Sequence, residues 1–477
     1  MSTLVMAGAF AATPATPEVG PTAIIGLIVA IAVLILLVLK TKVHALVALV
    51  VAASIAGLSA GMGPAAAIKS ITTGFGSTLS TIGLVVGFGV MMGAILEVTG
   101  AAERLAISMI KWLGTKREEW ALAGAGYIIS IPIFIDSAFV ILNPLVKALS
   151  RSSGRSMLTL GIALAGGMVL THHAVPPTPG PLGAAGIYGV GIGDMIIWGL
   201  VLTIPALVTV TIYAKIMGPK IEAMIAADTG EPLDAKAAYD EFVELAGERE
   251  KELPSLFLSL LPILGPIVLI FINTGVAAFA ESSPEALPQW LVDGAAFIGN
   301  PVIAVGIGVL LAIYGLTGKM SRHDTTAEME KGIESAGIIL LVTGAGGALG
   351  AVLRDSGVGD YIGQAVSTLP LPSVLIPFII ATMVRLVQGS GTVSIITSAS
   401  LSAPILAQVP DVNMVLAAQA ACLGAMIFSY FNDSLFWVVN RMMGVKTVKH
   451  QLLTWSVPTT VAWATSLVTI LVADIFV

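Results

Sequence analysis

Of 477 residues, 56% are hydrophobic and 11% charged, and the mean hydropathy is +0.96. Soluble domains carry roughly 25% charged residues, so this is read as a polytopic membrane protein, and a formal net charge of -6 gives no basic surface for nucleic acid. A single cysteine, Cys422, excludes an intrachain disulfide and any multi-cysteine metal site.

In chain order, MSTLVMAGAFAATPATPEVG lacks a basic n-region and is expected to be a short tail rather than a secretory signal. PTAIIGLIVAIAVLILLVL, which follows, is apolar over the roughly 18 to 20 residues a helix needs to cross the hydrocarbon. Similar runs predict about ten transmembrane helices, at about 22–39, 43–60, 78–100, 156–183, 194–217, 254–273, 300–316, 334–356, 414–440 and 451–475. The weaker alternation of an outer-membrane barrel is absent, so the expected fold is all-α. With these spans, every Lys and Arg except Lys69, Arg354 and Arg385 falls on one side. The positive-inside rule makes that side cytoplasmic and leaves both termini periplasmic.

Two further apolar stretches behave differently. The stretch 119–150 has basic residues at both ends and a break at IPIFIDSAF (131–139), so it is expected to be a re-entrant hairpin. The stretch 370–408, with neutral or acidic flanks and a break at QGSGT (388–392), is expected to be a second hairpin entering from the other side. Two short crossing helices in each stretch are the alternative.

An internal comparison favours the hairpins. MMGAILEVTG (91–100) aligns with ALGAVLRDSG (348–357), and GGMVLTHHAV (166–175) with GAMIFSYFND (424–433), at offsets of 257 and 258. Matched helices are an odd number of crossings apart, so the halves are expected to form an inverted-topology repeat. The first would span 1–217 and the second 254–477. The charged insert 218–253, containing DAKAAYDEFVELAGEREKE, is expected to be a cytoplasmic surface helix and linker.

Breaks at membrane depth leave backbone groups unpaired, and only a protein-lined cavity tolerates that. Four breaks fall at paired places: Ile135-Asp136-Ser137 with Gln388 to Thr392, and THHAVPPTPGP (171–181) with SYFNDS (429–434). A helix restarting after such a break presents free N–H groups and a positive dipole end to an anion. The prolines of THHAVPPTPGP are expected to hold it extended as one wall of the site.

The candidate substrate-binding residues follow: Asp136, Ser137 and Asn143; Thr171, His172 and Thr178; Arg385; Gln388, Gly389, Ser390, Gly391 and Thr392; Asn432, Asp433 and Ser434. A guanidinium inside a span is costly unless it has a cavity or a partner. Arg385 is therefore either a fork for a carboxylate or half of an ion pair with Asp136, Asp433 or Glu97, unless it snorkels to the interface. Asp136 and Asp433 are candidate proton carriers, or simply caps of restarting helices. His172 and His173 could donate to an anion or carry a proton, and only one of the two is expected to act, with His172 preferred. GAGGALG (344–350) lacks a preceding strand and is expected to serve helix packing, not nucleotide binding. Two adjacent histidines make no metal site, and neither metal nor cofactor is expected. Without a P-loop, transport would be gradient-driven. A cation exchanger or channel, and an enzyme using Ser390 or Ser137 with His172, are competing readings.

FIDSAF (134–139), THHAVPPTPGPL (171–182), RLVQGSGTVSIITSAS (385–400) and NDSLFW (432–437) together resemble the gluconate permease family of bacterial inner-membrane symporters, within the ion transporter superfamily. The resemblance implies uptake of a small sugar acid or hydroxy acid, such as gluconate or glycerate, with H+ as the usual coupling cation and Na+ as the alternative. It also implies a homodimer with an elevator mechanism, in which hairpins and broken helices slide against a fixed scaffold. Asp136, His172 and Asp433 are then the candidates for the coupling proton.

Overall fold

The computed structural model describes residues 21–113, 117–229, 252–283, 287–367, 372–430 and 432–476. The tail 1–20 and most of the charged insert, 230–251, lie outside the described residues. Among the described residues all regular structure is helical. The first half contains α1 (Pro21–Lys40), α2 (Ala45–Ser59), α3 (Pro64–Val98), α4 (Ala101–Leu113), α5 (Glu118–Ile129), α6 (Ile135–Ser153), α7 (Met157–Ala174), α8 (Pro179–Tyr188) and α9 (Ile192–Thr229). The second contains α10 (Leu256–Ser282), α11 (Gln289–Ile298), α12 (Pro301–Leu316), α13 (Arg322–Asp355), α14 (Val358–Ser367), α15 (Leu375–Gln388), α16 (Gly391–Leu406), α17 (Met414–Gly424) and α18 (Ser434–Met442). It closes with α19 (Val448–Gln451), a π-helical turn (Leu452–Ser456) and α20 (Val457–Phe476).

Among the described residues six stretches are long and apolar enough to cross a membrane, and α11 with α12, bent by 61°, makes a seventh if the pair is one span. Shorter apolar helices, at α1, α2, α15, α16 and α17, fall on further predicted stretches, and the stretch 119–150 falls on α5 and α6. The order α3, α4, α5–α6, α7–α8, α9 recurs as α13, α14, α15–α16, α17–α18, α19–α20.

Several boundaries differ from expectation. The helix predicted from 78 begins at Pro64. In its Ser/Thr/Gly-rich start the Thr72 hydroxyl is satisfied within the helix by the Ile68 carbonyl at 3.0 Å, and Gly74 lies where a Cβ would collide with Gly347 of α13, so this turn packs closely on that helix. The helix predicted to end at 217 continues through Thr229, so the start of the expected linker 218–253 is part of α9. There Glu222 accepts from Leu158 N–H at 2.9 Å, fastening the extension to α7.

Proline and glycine chemistry sets the breaks. Pro132, with no N–H to give, lies between α5 and α6. Gly389, at φ 86°, turns the chain between α15 and α16 through the left-handed region. α7 stops ahead of Pro176 and Pro177, and α8 begins at Pro179, where a missing N–H costs nothing. THHAVPPTPGP is therefore not held extended throughout: only 175–178, with Pro176 and Pro177, leaves the helix, and Pro179 and Pro181 lie in the first turn of α8.

Met157–Tyr188 forms the centre of the molecule, with 94% of its most apolar window buried against 28% for Leu256–Ala277. A helix surrounded by protein needs no polar face. Small residues allow the close approach: a Cβ on Gly167 would land on the Ala123 carbonyl of α5, and one on Gly424 on the Phe378 carbonyl of α15. GAGGALG serves the same purpose, with Gly344 against Phe75 and Gly347 against Thr78.

Candidate binding site

A cavity of about 410 Å³ lies where the break between α5 and α6 and the turn between α15 and α16 meet the end of α7 and the start of α18. The start of α6 contributes Phe134, Ile135 and Asp136, the end of α7 contributes His172 and His173, and the end of α15 contributes Arg385 and Gln388. Gly389 to Val393 come from the second hairpin's turn, and Asn432 to Leu435 from the start of α18. Ile338, Ile339 and Val342 of α13 close one side with apolar surface. Three helix starts, α6, α16 and α18, thus open on one space, and their dipoles favour negative charge there.

The charged centre is an ion pair. Arg385 Nη2 donates to Asp433 Oδ2 at 2.6 Å, with the side chains only 4% and 11% exposed. The same carboxylate receives the Ser429 hydroxyl, and its other oxygen accepts Leu435 N–H at 3.3 Å, capping α18. Trp455 Nε1 donates to Ser429 Oγ at 2.9 Å from the π-helical turn, and Thr459 Oγ1 accepts Ser429 N–H at 3.0 Å. Both readings of Asp433 as partner and cap therefore hold together. Arg385 Nε and Nη1 are buried and have no hydrogen-bond partner among the described residues.

Asp136 makes no ion pair among the described residues. It sits in the first turn of α6, whose start no side chain caps, and its Oδ1 has a 3.4 Å contact with the Ser434 hydroxyl. In the second hairpin, Gln388 Oε1 accepts Ser390 N–H at 2.8 Å and Ser390 Oγ accepts Val393 N–H at 3.3 Å, so side chains already hold the start of α16.

Four sequence candidates do not line the cavity. Asn143 donates to Met442 O at 3.3 Å and ties α6 to α18. Thr171 and Thr178 hydroxyls turn back to the carbonyls of Met168 (3.5 Å) and Val175 (2.6 Å), and Ser137, one position past Asp136, is rotated off the cavity. Conversely His173, set aside in favour of His172, lines it beside its neighbour. The α13 side chains, Ser429 and Trp455 also went unread: Ser429 lay in the quoted SYFNDS, whereas an apolar stripe and a distant tryptophan carry no local signal. Among the described residues no group of three or more His, Cys, Asp or Glu could hold a metal ion.

The family model for GntP family permeases matches residues 22–476. The chain belongs to this family. An uncharacterized permease of Haemophilus influenzae is 54% identical over 95% of this chain and 93% of its own. The gluconate permease of Pseudomonas aeruginosa is 31% identical over 93% and 95%. Among solved structures, MtrF of Neisseria gonorrhoeae, described as illuminating a class of antimetabolite efflux pumps, superposes with a TM-score of 0.64 at 14% identity, over 91% of this chain and 96% of that one. That likeness is one of fold. This GntP-family permease is a multi-pass membrane transporter, not an enzyme.

Proposed function

We propose that this permease is a bacterial inner-membrane symporter that takes up a small sugar acid or hydroxy acid anion, such as gluconate or glycerate, together with H+. The observation that carries the reading is the cavity lined by the Arg385 side chain, two of whose guanidinium nitrogens have no partner among the described residues, beside three helix starts. Such an array recognises a carboxylate. Charge balance supports H+ as the partner. Arg385 and Asp433 cancel, Asp136 adds a negative charge, and an entering anion adds another. A proton delivered with the anion restores the balance. Asp136, which makes no ion pair among the described residues, is the group we assign to receive it, and the ion-paired Asp433 is the fixed carboxylate.

The recurring order of elements supports an inverted repeat, in which both hairpins and broken helices form a moving transport unit. The elevator motion and the homodimer rest on the family likeness. Na+ in place of H+ is the alternative for coupling.

Reconstituted in liposomes, the permease is expected to accumulate labelled gluconate or glycerate under an inwardly directed H+ gradient and not under a Na+ gradient alone. Uptake of cationic amino acids in place of acids would overturn the assignment. Asp136→Asn is expected to abolish accumulation driven by the H+ gradient while substrate exchange between two loaded compartments continues. Equal loss of both activities would remove Asp136 from the coupling role.

A further inference from the structure

Long-range side-chain hydrogen bonds gather the helices into two groups. In one, Tyr127 of α5 donates to the Leu200 carbonyl of α9 at 2.7 Å, Tyr188 of α8 meets Ser402 of α16 at 2.6 Å, and Trp463 of α20 donates to Thr382 of α15 at 2.9 Å. Asn143 of α6 and Gln419 of α17 bond within the same group, so it holds both hairpins and both broken helices. In the other, Ser70 of α3 donates to Asp355 of α13 at 2.6 Å, and Arg104 of α4 donates to the Pro254 carbonyl ahead of α10 at 2.7 Å. α13 thus belongs with α3, yet it lines the cavity with Ile338, Ile339 and Val342, which share a face at i, i+3 and i+4 spacing. Further along α13 the hydroxyls at this boundary turn back into their own helices. A Cβ on Gly346 would touch Ser400 of α16, but the Ser400 hydroxyl donates to the Ile396 carbonyl at 2.6 Å. Thr343, whose methyl lies against Gly183 of α8, donates to the Ile339 carbonyl at 2.8 Å. A second, smaller apolar space repeats the pattern, with Pro132 and Pro177 on one side and Met92, Pro266 and Val305 on the other.

We infer that Ile338, Ile339 and Val342 form a non-bonding wall past which the bound acid travels: the helices that carry Arg385 hold its polar groups, and α13 offers it apolar contact alone. The inference rests on the sugar-acid reading and the moving unit proposed above, and adds which surface the substrate leaves behind. Apolar contact is non-directional and scales with area, so one register along such a wall is exchanged for the next at little cost. A hydrogen bond to α13 would stabilise the resting complex alone and would have to break before the unit moved.

Ile339→Asn, which sets a carboxamide on the wall, tests this. The purified variant is expected to bind labelled gluconate as tightly as the wild type or more so, whereas its initial uptake in liposomes falls by about tenfold. Ile339→Leu is expected to leave both unchanged. Should the asparagine variant not fold, Ile338→Asn, at a position 60% exposed, is expected to give the same split. Affinity and uptake falling together would mean that the wall only packs the substrate, and unchanged uptake would mean that the substrate does not pass it. Either result overturns the inference. A cross-link tests the boundary itself: Gly346→Cys with Ser400→Cys is expected, once oxidised, to stop uptake and leave gluconate binding intact, the native Cys422 being buried. Full uptake by the cross-linked permease would overturn the inference together with the moving unit and leave the sugar-acid reading standing. A wild type that carries no sugar acid at all would remove that reading and the inference with it.

Discussion

Replacing Asp433 by Asn is expected to cost this permease about 3–5 kcal/mol of stability, because it leaves the Arg385 guanidinium buried without its counter-charge. The pair is 2.6 Å apart with side chains only 4% and 11% exposed, so solvent only partly takes the place of the lost carboxylate. Arg385→Gln should be destabilising for the converse reason, as it strands the carboxylate among Ser429, Leu435 N–H and the Trp455 hydrogen bond behind them. The double variant, Arg385→Gln with Asp433→Asn, removes both charges and is expected to recover most of the lost stability in thermal unfolding followed by tryptophan fluorescence. Uptake should not recover. If the guanidinium is the carboxylate fork, the double variant folds and still fails to bind gluconate, with affinity lower by about 10²-fold or more. A double variant that regained both stability and uptake would show the pair to be structural alone.

The sequence carries the fold at the level of helices and breaks for a physical reason. Apolar runs long enough to span a bilayer are visible one residue at a time, and so are the prolines and glycines that stop them. It reads less well where polarity and helicity part company. Pro64 to Ser77 contains Lys69, serines and threonines that argue for a loop, yet the Thr72 and Ser77 hydroxyls bond within the helix and Gly74 packs on α13. The site was legible to the extent that it lies at breaks: Asp136, Arg385, the 388–392 turn and Asn432 to Ser434 all reach the cavity. Inside a helix the same reasoning fails, since one residue's shift rotates a side chain by about 100°. Thr171 and Ser137 stand next to cavity residues and face elsewhere, and nothing local distinguishes His173 from His172. Ile338 and Val342 come from a helix with no break near them, so only the tertiary packing reveals them.

Gly389→Ala is expected to impair transport strongly through the shape of the second hairpin rather than through any lost chemical group. Gly389 caps α15 at φ 86°, a backbone conformation that costs an alanine roughly 1–2 kcal/mol. That term alone would leave a folded, active permease. The further cost is steric: a Cβ at this position would collide with the backbone carbonyl of Asn432. Asn432 cannot retreat without carrying Asp433, and with it the Arg385 pair, so the hairpin turn and the start of α18 must separate. A shift of about 1 Å in such a constellation typically costs about 10²-fold in rate. Gly154 supplies the control, because it too is left-handed, at φ 69°, but a Cβ there meets open space. Gly154→Ala should lower the unfolding temperature slightly and leave gluconate uptake unchanged, whereas Gly389→Ala should reduce uptake by about 10²-fold. Equal uptake by the two variants would mean that the hairpin turn tolerates displacement and that the contact between the 388–392 turn and α18 does not define the site.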